Sequence, residues 1–154
     1  MNPKPTATMR RFTTLLPATV LLLMAAAASA AEPADGDSLM REGNSLFRSG
    51  LYRAALLRYR EASVNGSSSP LLDYNLGVTQ YRLGEYAEAE VALERASRDA
   101  QLRALATYNL GLTRRAAGDT ADAQRWFDAA AAAADDGDLR RLARRAAESV
   151  HAEP

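Results

Sequence analysis

The sequence predicts an all-α fold built from repeated helical hairpins, and three observations predict it. Tyr74-Asn75-Leu76-Gly77 returns 34 residues later as Tyr108-Asn109-Leu110-Gly111. Two glycine series keep that spacing: Gly43, Gly77 and Gly111, then Gly50, Gly84 and Gly118. So do two alanine series (Ala55, Ala89, Ala123; Ala62, Ala96, Ala130) and the large apolar series Tyr59, Leu93, Phe127. Tyr52 and Tyr86 follow the same offset, with Thr120 in the third copy. A fixed period of this length marks a solenoid, in which each unit buries its apolar side only against its neighbours. A plain helical bundle requires no such period.

Residues 1–30 read as a secretory leader. Lys4, Arg10 and Arg11 form a positive start, Leu15 to Ala28 an apolar core, and Ala28-Ser29-Ala30 a small-residue cleavage site. The rival reading is an uncleaved membrane anchor, since the uncharged run from Phe12 to Ala31 just reaches the length of a span. That run contains Pro17 and ends in weakly apolar alanines, which favours cleavage after Ala30. Cleavage would place the mature protein in the periplasm, with no further membrane insertion; the alternative is an inner-membrane anchor. Losing residues 1–30 removes three of the 19 cations and none of the 19 acids, leaving a net charge of −3.

A short linker, residues 31–37, precedes the helical domain 38–151. The repeats span about 37–69, 70–103 and 104–137, and a capping helix spans 138–151. The first hairpin pairs about Ser38–Ser49 with Tyr52–Asn65, turning at Gly50, where a left-handed helix end favours glycine. Ser69-Pro70 supplies an N-cap and a first-turn proline for the second hairpin, Pro70–Leu83 with Tyr86–Arg98. The third pairs about Leu102–Ala117 with Thr120–Ala134, and Asp119 and Asp122 are spaced like a capping box. Asp135-Asp136-Gly137-Asp138 breaks the chain before a last helix, about Leu139–Val150. Its apolar face is expected along Leu139, Leu142, Ala143, Ala146 and Val150, with Arg140, Arg141, Arg144 and Arg145 solvated.

Gly43, Gly77 and Gly111 lie mid-helix, where glycine costs up to about 1 kcal/mol relative to alanine. A steric need is expected there: a partner helix crosses close by, with Ala55, Ala89 and Ala123 as its small residues. Tyr59, Leu93 and Phe127 are expected to fill the space between successive hairpins.

Composition excludes several classes of chemistry. The chain is 47% hydrophobic and 25% charged with a formal net charge of +0, so no broad basic face for nucleic acid is expected. It has no cysteine, which removes disulfides, thiolate metal sites and a cysteine nucleophile. The single histidine, His151, lies three residues from the end. No HExxH, P-loop or GxGxxG pattern occurs. The aspartates at 135–138 lack the alternating ligands and closing glutamate of an EF-hand and read as a helix breaker and cap. No catalytic residue, cofactor or metal site is expected.

A 34-residue period with these glycines, alanines and aromatics resembles the tetratricopeptide repeat (TPR) over about residues 37–134, plus a capping helix. The resemblance implies a right-handed superhelix of three antiparallel helix pairs with a concave groove. Departures are modest. Asp73 and Thr107 stand where a bulky residue is common, Thr120 replaces the turn tyrosine, and no proline closes the repeats at Ser67, Gln101 or Asp135.

The resemblance also implies a non-enzymatic scaffold or adaptor that binds another protein or a peptide segment. With the leader, it suggests an envelope protein of a Gram-negative-type bacterium; the alternative is an accessory domain of a larger outer-membrane, secretion, pilus or cell-wall assembly. Beside the core residues Leu72, Leu76 and Leu83, a second stripe of Leu71, Tyr74, Val78 and Tyr81 runs along its helix. Leu105, Tyr108 and Leu112 repeat it, and in the resembled fold this stripe lines the groove. Some members of the family grip a terminal carboxylate with two asparagines and several cations. Asn44 and Asn75 match the asparagines, but Met40, Leu105 and Asn109 occupy the cationic places. The expected groove therefore consists of Asn44, Asn75 and Asn109 beside Tyr74, Val78, Tyr81, Tyr108 and Leu112, edged by Arg48, Arg82 and Arg115.

Overall fold

The structure, a computed structural model, describes residues 35–150. The expected leader, its cleavage site, most of the linker and His151 lie outside the described residues. Seven helices follow in order: α1 (Gly36–Arg48), α2 (Tyr52–Val64), α3 (Pro70–Leu83), α4 (Tyr86–Ala96), α5 (Arg103–Ala116), α6 (Thr120–Ala133) and α7 (Gly137–Val150). Among the described residues there is no strand, and no helix is long and apolar enough to cross a membrane.

Local chemistry sets the helix ends. The Asp35 carboxylate accepts from the Ser38 amide at 2.6 Å, so α1 starts at Gly36, inside the expected linker. Ser69 accepts from the Leu72 amide at 3.1 Å, with Pro70 in the first turn of α3. Before α7, Asp136 accepts from the amides of Asp138 and Leu139 at 3.1 and 3.3 Å, which is the capping role expected of this cluster. The Asp119–Asp122 box is half formed. Asp119 accepts from the Asp122 amide at 3.1 Å, while the Asp122 carboxylate turns to Arg125 at 2.8 Å. At Gly84 (φ 77°) α3 ends left-handed, and the Glu85 amide reaches back to the Gln80 carbonyl at 2.9 Å. The same closing bond recurs as Leu51 to Leu46 at 3.0 Å and Asp119 to Arg114 at 2.9 Å.

Helices α1–α2, α3–α4 and α5–α6 form hairpins, each packed on the next through α2–α3 and α4–α5. First helices of successive hairpins touch one another, α1 with α3 and α3 with α5, whereas successive second helices do not. The superhelix therefore curves with α1, α3 and α5 on its inner side. α7 packs on α6 and also touches α5, taking the place of a fourth first helix.

The core runs through all of them. Leu39, Ala55, Tyr59, Ala62 and Leu72 join α1, α2 and α3, and Ala123, Phe127, Ala146, Ala147 and Val150 join α6 to α7. Two expectations change here. The mid-helix glycines face chiefly the large series, not the alanines: a Cβ on Gly77 would lie 2.6 Å from Leu93 Cγ, and on Gly111 2.6 Å from the Phe127 ring. The large residues thus fill each hairpin's own interior as well as the joint to the next. In α7, Leu142 is 49% exposed and Ala147 is buried in its stead. The seat on α6 is an alanine surface, Ala130 and Ala131 with Ala143, which admits small residues closely.

The departures from the repeat pattern have local roles. Asp73 pairs with Arg95 of its own hairpin at 2.8 Å, and Thr107 is buried.

Candidate functional site

Facing the inner side, a cleft of about 340 Å³ opens between α1 and α3. Phe47, Leu71, Tyr74 and Val78 give it apolar walls, Asn44, Asn75 and Tyr59 supply polar atoms, and Arg48 stands beside them. Leu71 is 44% exposed, so part of this surface is apolar and open to solvent.

The amides hold the hairpins together first. Asn44 Oδ1 accepts from the Tyr59 hydroxyl at 2.7 Å and from Asn75 Nδ2 at 3.0 Å, which ties α1 to both α2 and α3. Asn109 Nδ2 donates to the Tyr74 hydroxyl at 3.1 Å and to the Leu105 carbonyl at 2.9 Å. Two donors on one oxygen fix the orientation of Asn44, and its Nδ2 has no partner among the described residues. The same is true of Asn75 Oδ1. Because the Tyr74 oxygen accepts from Asn109, its own proton is left to donate. The inner side thus presents donors from Asn44 and Tyr74 and an acceptor from Asn75, a set that matches a peptide backbone.

Burial keeps these phenols protonated. It pushes Tyr59 up to about 12 from 10.0, with the Arg48 charge acting slightly against the shift. Burial also raises Tyr74, opposed by the Asn109 bond, and raises Tyr108, opposed by Arg115.

The expected groove residues do not all meet. Asn44, Asn75, Tyr74, Val78 and Arg48 meet at the cleft. Tyr108, Leu112 and Arg115 turn toward the third hairpin and α7. Tyr108 packs its ring 5.5 Å from that of Phe127, Leu112 joins the α6–α7 core, and Arg115 lies 5.7 Å over the Phe127 ring and donates to Ser149 at 3.3 Å. Tyr81 leans on Tyr86, ring centres 6.2 Å apart, and Arg82 is exposed at the end of α3. Sequence reasoning passed over Phe47 and left Tyr59 in the core. The repeat offset carried the signal for Phe47, which stands 34 residues before Tyr81 and packs on Tyr52 as Tyr81 does on Tyr86.

Among the described residues no group of three or more His, Cys, Asp or Glu is placed to hold a metal ion.

Several solved structures share the fold. The Sgt2 TPR domain from Aspergillus fumigatus matches with a TM-score of 0.65 at 23% identity, covering 77% of this chain and 84% of that one. The first TPR of Spaghetti (RPAP3) bound to HSP90 peptide SRMEEVD matches at 0.63 and 19% identity, covering 78% and 96%. The N-terminal domain of stress-induced protein-1 (STI-1) from C. elegans matches at 0.61 and 19%, covering 72% and 93%. No curated protein matches the chain. The family profile described as tetratricopeptide repeat matches residues 40–101 and again 74–138. The chain belongs to the tetratricopeptide repeat family, and its helices form a protein-interaction scaffold of that type.

Proposed function

We propose that this protein is a non-catalytic adaptor of the bacterial envelope that holds an internal segment of a partner protein on the inner side of its superhelix. The observation that carries the reading is the cleft between α1 and α3, where apolar walls surround Asn44 Nδ2, Asn75 Oδ1 and the Tyr74 hydroxyl proton, which have no acceptor or donor partner among the described residues. A solved relative by fold holds a peptide, SRMEEVD. Met40, Leu105 and Asn109 leave this chain without the cations of a carboxylate clamp, and Asn109 is engaged with Tyr74. An internal segment with an apolar anchor fits better than a free C-terminus. Arg48 at the cleft favours an acidic residue near that anchor. The leader-like residues 1–30 support export to the periplasm, and the mild net acidity of the remainder disfavours an anionic membrane surface.

The test places a photo-crosslinking residue at Leu71 in cells of a Gram-negative host carrying the native gene neighbourhood. One crosslinked partner, lost in Val78→Glu and insensitive to blocking that partner's C-terminus, is expected. Crosslinking that survives Val78→Glu, or that depends on the free C-terminus, rejects the reading. Recovery of the protein in the periplasmic fraction starting at Ala31 is expected; an intact N-terminus in the membrane pellet replaces export with an anchor.

A further inference from the structure

The outer side carries a second surface. Because successive second helices do not touch, a furrow runs between α2 and α4, floored by Leu76 and Gln80 of α3. Its volume is about 460 Å³, and it continues past Arg60 into a further 310 Å³ along Leu56, Leu57 and Leu83. Leu57 on one wall and Val91 on the other are each 54% exposed. Hydrophobic residues this open, at matching places in two hairpins, leave apolar area for something to cover.

The charges beside them are sorted by wall. On α2 the exposed charges are Arg53 and Arg60; its only acid, Glu61, is held by Arg58 at 2.6 Å. On α4 the exposed acids are Glu88 and Glu94, which form no ion pair among the described residues. Arg95 on that helix is engaged by Asp73. Arg60 reaches Glu85 only at 3.8 Å, the outer limit of an ion pair.

The repeat fixes how the walls align. Residue i of α2 is level with residue i+34 of α4, so Leu57 is level with Val91 and Arg60 with Glu94. A twofold axis along the furrow would lay α2 of one copy on α4 of the other. Leu57 then meets Val91 of the second copy, Arg60 faces its Glu94, and Arg53 comes near its Glu88. Each contact occurs twice, as a closed two-fold interface requires. The pattern is bounded: the third hairpin has Arg125 and Asp128 at the corresponding places, so the apolar pair ends with α4.

We infer that the outer furrow between α2 and α4 is a self-complementary homodimer surface whose occupant is a second copy of this chain. The α2 wall alone, basic with Leu57 and the 86% exposed Val64, would also suit an anionic membrane. The acidic α4 wall beside it opposes that use and complements the α2 wall of another copy.

Sedimentation velocity on the full chain, purified as its host processes it, tests the inference without any groove ligand. The expected result is a dimer at micromolar concentration that is lost in Leu57→Glu, in Arg60→Glu and in Glu94→Arg. The double variant Arg60→Glu/Glu94→Arg should recover it, because the swapped charges again face opposite signs. All three positions are exposed, and circular dichroism melting checks that each variant folds. A wild-type monomer across the concentration range overturns the inference. So does a dimer indifferent to Leu57→Glu, or a double variant no better than the singles. Flotation of a monomer with vesicles containing anionic lipid would assign the α2 wall to a membrane instead. Failure here leaves the inner cleft untouched, since none of these residues lines it.

Discussion

Replacing Gly77 by alanine sets two effects against each other. Helix propensity favours alanine by about 1 kcal/mol. Packing opposes it: the new Cβ would lie 2.6 Å from Leu93 Cγ, 3.0 Å from Leu93 Cδ2 and 3.1 Å from the Ala89 carbonyl oxygen. Leu93 is fully buried, its Cγ is a branch point rather than a free tip, and the carbonyl belongs to the α4 backbone. Relief requires α3 and α4 to separate, and overpacking of this kind costs about 1–3 kcal/mol. Packing should win, for a net loss of up to about 2 kcal/mol. Urea denaturation followed by circular dichroism measures it. Gly137→Ala is the internal control, because a Cβ there meets only the Arg141 guanidinium at 3.5 Å; it should be neutral or stabilising. Leu93→Ala alone should cost about 2–5 kcal/mol, and adding Gly77→Ala should cost little more, since the methyl enters the vacated space. A Gly77→Ala protein as stable as wild type, or strict additivity with Leu93→Ala, would refute the close contact as the reason for the glycine.

Removing residues 137–154 should uncover Phe127, Ala123 and Ala130 on the third hairpin, giving aggregation or loss of helix beyond α7 itself; light scattering and circular dichroism at matched concentration decide it. Raising pH should weaken the fold through Tyr59. Its contribution is intact below the unfolded value of 10.0 and lost as pH rises through about 12, so unfolding free energy should fall across that window, and less steeply in Tyr59→Phe. At neutral pH Tyr59→Phe should cost about 1 kcal/mol for the bond to Asn44, read by urea denaturation. Asn75→Ala should lower stability while Val78→Glu leaves it near wild type, because Asn75 bridges α1 and α3 and Val78 lies at the cleft; equal melting of the two proteins would remove the structural role of Asn75.

The hairpin pattern was legible because its determinants are local or periodic. Ser69-Pro70, Gly84 and Asp119 act within a few residues of themselves, so the start and end of α3 and the start of α6 follow from sequence. The start of α1 did not, since Asp35 and Ser38 both qualify as caps and only the geometry chose the earlier one. Groove residues were partly legible. Spacing put Tyr74 and Val78 on one stripe, the family resemblance implied that this stripe lines the groove and added Asn44 and Asn75, and the cleft gathers all four. Spacing could not show that α7 would occupy Tyr108, Leu112 and Arg115.

By itself the sequence determined the 34-residue period, hence the helix count, the turn positions and the stacking of one hairpin on the next. Those follow from angles around single helices and from backbone preferences, which each segment carries alone. Only the tertiary structure decided which neighbour each face meets. It set Leu93 rather than Ala89 foremost against Gly77, joined Asn44 to Asn75 across 31 residues, turned Leu142 outward, and opened the furrow between α2 and α4. Such contacts depend on where two helices cross and how closely, and that distance comes from all the side chains between them at once.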